Sequence, residues 1–122
     1  MSNWYRTDDL QICRKLDKFT YEFIEFTQAE DDLWISSTGT VDIRKWRDKD
    51  GKWTNEAYNY ITCYFHNLED LSDCAGNPEN EEQIVAECIF EQTSQFDPDS
   101  LEVTQEYAEQ YLEDILNGKK EP

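Results

Sequence analysis

Residues 19–26 alternate between apolar and polar side chains: Phe19, Tyr21 and Phe23 are interleaved with Thr20 and Glu22, and Ile24 and Phe26 resume the alternation one place out of phase. Period two marks a strand, and the slip predicts a bulge, because one extra residue turns the following side chains to the other face. Residues 28–32 are polar and acidic and read as a turn. Residues 33–37 and 40–47, rich in Trp, Ile, Thr and Val, read as one long strand interrupted at Gly39 or as two short ones. Ahead of this region, Leu10, Ile12 and Leu16 are spread among polar residues over 8–18, a pattern that a short helix would accommodate.

Asp50-Gly51, flanked by Trp46 and Trp53, predicts a tight hairpin turn, which needs the positive φ angles this pair supplies. The segment that follows, residues 57–66, has two readings. Extended, it places Ala57, Asn59, Ile61, Cys63 and Phe65 on one face; wound as a helix, it groups Ala57, Tyr60, Ile61, Tyr64, Leu68 and Leu71. Its β-branched and aromatic density favours the strand. Residues 67–83 are acid-rich and read as an exposed connection, although Asn77-Pro78-Glu79 would also suit a helix start, with Asn as cap and Pro in the first turn. The unbroken apolar run at 84–90 fits that helix or a buried strand, and the strand is the reading taken.

Between Glu102 and Asn117 the pairs Tyr107/Ala108, Tyr111/Leu112 and Ile115/Leu116 recur every four residues, and Asn117-Gly118 supplies a C-cap. This is an amphipathic helix. The expected architecture is α+β: a single domain with a curved antiparallel sheet of about four to five strands, and the C-terminal helix packed on one face.

Charge sharpens this picture. Residues 53–118 contain sixteen acids and no Lys or Arg, whereas residues 1–52 hold eleven acids against nine bases, so most of the net charge of −17 is regional. Four Trp, seven Tyr and six Phe argue that the acidic part is folded, since disordered chains lack such side chains. There is no eighteen-residue apolar run and no charged-then-apolar leader, which points to a cytoplasmic protein without membrane contact. Cys13, Cys63, Cys74 and Cys88 read as reduced thiols. Cys63-x-x-His66 lacks a second close pair for zinc, and the Asp48/Asp50/Gly51 loop lacks the first and last ligands of a calcium loop, so no cofactor or metal is expected.

On the C-terminal helix, Glu102, Glu106, Glu109 and Glu113 are spaced four, three and four apart and form one stripe, with Asp114 beside it. Like charges at these spacings repel by a few tenths of a kcal/mol each. A solvated face usually interleaves Lys or Arg to relieve this, and this helix has neither. A rigid row of acids is one way to imitate nucleic-acid phosphates. Glu69, Asp70, Asp73, Glu79, Glu81 and Glu82 in the acidic connection form the second candidate surface. The bases Arg44, Lys45, Arg47, Lys49 and Lys52 around the hairpin are expected to lie against acids of the same molecule or at the rim of a partner site, because a net −17 chain repels a polyanion.

In size, charge and aromatic scaffold the chain resembles the small acidic nucleic-acid mimics that phages and mobile elements use against restriction or CRISPR systems. That resemblance implies a non-catalytic inhibitor, monomer or dimer, that occupies the basic groove of a nuclease or another CRISPR or restriction effector and does not itself bind DNA or RNA. An immunity protein for a basic nuclease toxin is the alternative. A carboxylate-dependent enzyme is the third reading, with no nucleophile motif or phosphate-binding Gly loop to support it.

Overall fold

A computed structural model describes residues 3–93 and 101–120. The described chain divides into two compact units. One comprises residues 3–16, 22–39 and 101–120, and the other residues 17–21 and 40–93.

The first unit is built on strands β1 (Tyr5–Asp8), β2 (Gln11–Lys15), β3 (Thr20–Glu30), β4 (Leu33–Asp42) and β5 (Glu102–Val103), which form one sheet in that order. The ends of β3 and β4, Thr20–Tyr21 and 40–42, fall in the second unit. Residues 8–18 are therefore not helical. Leu10 and Ile12 are buried at a hairpin whose register shifts between Arg6 and Asp8, and Thr7 Oγ1 donates to Gln11 Oε1 at 2.7 Å. Strand β4 runs unbroken through Gly39 and ends at Asp42, where the chain enters a 3₁₀ turn over Ile43–Trp46 instead of continuing as strand.

The phase slip in β3 falls at Phe23 and Ile24, adjacent residues that are both buried. In a regular strand Tyr21 and Phe23 point to one face and Ile24 and Phe26 to the other, and all four are buried. Only Ile24 and Phe26 join the cluster formed with Trp4, Leu10, Ile12, Ala108, Leu112 and Ile115.

Helix α4 (Gln105–Leu116) closes that cluster. Ala108, Leu112 and Ile115, spaced four and three apart, share its inner face and are fully buried. Complete burial of a Leu or Ile contributes about 1.5–3 kcal/mol each. Thr104 Oγ1 caps the helix by accepting the Tyr107 N–H. At the other end Gly118, at φ 75°, donates to the Ile115 carbonyl and Lys119 to that of Asp114, a Schellman ending that needs the left-handed Gly. The expected α+β fold, with a five-stranded sheet and a C-terminal helix against it, is the one found.

The second unit overturns two strand expectations. Residues 55–61 are helix α1 (Asn55–Ile61), capped by Thr54, with Ala57 and Ile61 fully buried one turn apart. The acid-rich connection contains helix α2 (Leu68–Ala75), capped by the Asn67 side chain and ended by left-handed Gly76. The apolar run at 84–90 lies in helix α3 (Pro78–Thr93), and Asn77 Oδ1 accepts the Asn80 N–H at 2.8 Å, so the Asn-Pro start is the correct one. Helix α3 packs against both α1 and α2. It buries Val85, Ala86, Cys88, Ile89 and Phe90, an arc of about 200° at 100° per residue, which erases helical periodicity from the sequence.

Candidate functional site

Glu106, Glu109 and Glu113 are exposed on α4, as the spacing required. At 1.5 Å per residue they span about 10 Å. Glu102 leaves the stripe: it lies in β5 opposite Ile35, while its neighbour Val103 pairs with Trp34. Val103 and Trp34 pack against the core that α4 covers, so alternation turns Glu102 to the other face of the sheet. Half-buried Asp114 accepts a hydrogen bond from Gln110 Nε2 at 2.9 Å.

Tertiary structure adds acids that the stripe did not include. Glu106 and Glu109 line a groove of about 560 Å³ with Asp31, Asp32, Trp34, Thr104 and Gln105. An adjoining concavity of about 600 Å³ is lined by Arg6, Asp9, Leu10, Trp34, Gln105, Glu109 and Glu113. Asp31 and Asp32 form the turn between β3 and β4, and Asp9 lies in the turn between β1 and β2. The signal for Asp31 and Asp32 was a pair of adjacent acids in a turn two residues before a Trp. Their meeting with Glu106 depends on where α4 sits.

Six carboxylates thus border the two concavities: Asp9, Asp31, Asp32, Glu106, Glu109 and Glu113. A DNA strand carries one phosphate per about 3.4 Å, or about four over the length of the Glu106–Glu113 row. The row supplies three carboxylates, and the turns add Asp9, Asp31 and Asp32 around the same two concavities. One cation enters: Arg6 donates to the Asp9 carbonyl and pairs with Glu113 at 3.5 Å, both partners well exposed. Such a pair contributes at most about 1 kcal/mol.

The second-unit candidates are arranged differently. Glu69 and Asp70 occupy the first turn of α2 and Glu79 and Glu81 that of α3, where carboxylates favour the positive end of the helix dipole. Glu81 accepts from Ser72 Oγ at 2.8 Å, and Asp73 is exposed on α2. Glu82 is engaged internally: Arg47 Nη2 lies 3.3 Å from its Oε1, and that guanidinium stacks on Trp53 with its carbon 3.8 Å from the ring centre.

The hairpin bases therefore partly meet acids of their own chain. Arg44 holds Asp42 through two side-chain hydrogen bonds and one from its backbone N–H, and the side-chain bond from Arg44 lowers the Asp42 pKa to about 2. The Phe19 N–H, bonded to Asp17 Oδ1 at 2.8 Å, likewise lowers the pKa of Asp17. The turn itself is present, with Gly51 at φ 79° donating to the Asp48 carbonyl, though its flanks meet only in the single bridge Arg47–Trp53. Lys45, Lys49 and Lys52 are exposed.

All four cysteines are free, and burial pushes Cys88 up to about 12. Among the described residues no three His, Cys, Asp or Glu side chains come together to hold a metal, and no helix is long and apolar enough to cross a membrane. No protein-family model, curated protein or solved structure matches the chain.

Proposed function

We propose that this chain is a non-catalytic acidic inhibitor that places its carboxylates in the basic nucleic-acid groove of a nucleic-acid-processing protein, as anti-CRISPR and anti-restriction proteins of phages and mobile elements do. The observation that carries this reading is the border of six carboxylates along α4 and the neighbouring turns, with Arg6 as its one cation among the described residues. These acids belong to a capped helix and two strand turns, so the charges are held at set intervals before binding, which lowers the ordering cost of association.

Capture from lysate at low salt, with the partner identified by mass spectrometry, supplies the protein for the decisive measurement. Electrostatic steering raises on-rates by about 10–10³, and the Debye length shortens from above 10 Å to below 5 Å between about 50 and 500 mM salt. Association with that partner is expected to slow by one to two orders of magnitude over this range. An on-rate that stays flat would remove the reading. The isolated chain should also leave DNA and RNA unshifted in a gel.

A further inference from the structure

Three arginines of this chain are held in the same way, between an aromatic ring and a carboxylate. Arg14 lies over Trp4 at 4.6 Å and bonds Glu22 at 2.6 Å. Arg47 lies over Trp53 at 3.8 Å and pairs with Glu82 at 3.3 Å, and Arg44 lies over Phe19 at 4.7 Å and pairs with Asp42 at 2.7 Å. The planar guanidinium suits this arrangement because it can stack on a ring while its edge donates to a carboxylate.

The groove at Trp34 repeats the receiving half of that arrangement. Trp34 packs one part of its surface on the core and lines the groove with the rest, and Asp31, Asp32 and Glu106 stand around it. No described cation pairs with these three acids or stacks on Trp34. Arg6 reaches the adjoining concavity, where its guanidinium is bound to the Asp9 carbonyl and Glu113. An acidic surface alone would not choose between basic side chains; a half-buried indole lining the groove does.

We infer that the Trp34 groove receives an arginine side chain of the basic partner protein, stacked on the indole and bonded to the carboxylates of Asp31, Asp32 or Glu106. This rests on the proposed role as an acidic inhibitor and specifies the chemistry of its contact. Arginine-rich surfaces are common where proteins grip phosphates, so the groove takes the side chain that the nucleic acid would otherwise engage.

Hexa-arginine and hexa-lysine peptides of equal charge provide the probe. The four indole N–H resonances are followed by NMR at low salt, and Trp34 is assigned by its loss in Trp34→Phe. Hexa-arginine is expected to shift the Trp34 resonance most and to bind several-fold tighter than hexa-lysine. Asp31→Asn with Asp32→Asn, on an exposed turn where folding is not at stake, should remove most of that preference, whereas Glu69→Gln with Asp70→Asn should keep it. Equal affinity for both peptides with Trp34 unmoved would overturn the arginine site and leave the acidic-surface reading standing. No binding of either peptide would overturn both.

Discussion

The two units hold similar numbers of acids and use them differently. Among the described residues the first has twelve acids against five bases over 3–16, 22–39 and 101–120, for −7; the second has thirteen against six over 17–21 and 40–93, also −7. In the second unit, Asp42 and Glu82 pair with Arg44 and Arg47, and Glu69 and Asp70 sit in the first turn of α2. In the first, Glu22 pairs with Arg14 and Glu113 with Arg6, but Asp31, Asp32, Glu106 and Glu109 gather around a groove with no ion pair among the described residues. Negative charge is therefore not equivalent along this chain. What makes a carboxylate available to a partner is the lack of an internal cation at its side, and residue counts do not show that.

The sharpest way to break this contrast is to neutralise equal charge in each unit. Glu106→Gln, Glu109→Gln and Glu113→Gln together should weaken affinity for the captured partner by about ten- to a hundredfold, or about 1.4–2.8 kcal/mol. Glu69→Gln, Asp70→Asn and Asp73→Asn together should weaken it less than about threefold. Equal losses, measured by titration calorimetry, would mean a diffuse field with no preferred face. Asp9 is unsuitable as a control position because it borders the site.

Stability should show the reverse order. Glu82→Gln removes the partner of the half-buried Arg47 and should cost about 0.5–1 kcal/mol in urea unfolding. Glu109→Gln, whose carboxylate accepts from Gln105 alone among the described residues, should be neutral or slightly stabilising, since it relieves repulsion from Glu106 and Glu113. Should Glu109→Gln prove the more costly, the assignment of which acids are internally engaged would be wrong.

The smallest effect concerns pH. Arg44 lowers the Asp42 pKa from 3.8 to about 2, so the folded-state value is the lower one and the contribution is full above about pH 4 and lost as pH falls towards 2. The difference in melting temperature between the wild-type chain and Asp42→Asn should hold from pH 7 to 5 and shrink between pH 4 and 2. A difference that stays constant down to pH 2 would show that the pair adds nothing through ionisation.

Several features were determined locally and could be read from the sequence. Helix α4 is one, because only one of its faces is covered and its apolar residues keep a four-three spacing. The Asp48–Gly51 turn and the Asn77-Pro78 helix start are others, since a left-handed Gly and a capping side chain act within four residues. Strands β3 and β4 were legible from their β-branched and aromatic residues. Tertiary structure decided the rest. Helix α3 is covered by two other helices, so its apolar run carries no period, and α1 is too short to show one. Glu102 was assigned to the helix by spacing, but pairing with β4 takes it into the sheet. The groove joins Asp31, Asp32 and Trp34 to Glu106 across more than seventy positions of chain, and Glu82 meets Arg47 across thirty-five. Contacts at such separations depend on how the elements pack, and periodicity within one element holds no record of them.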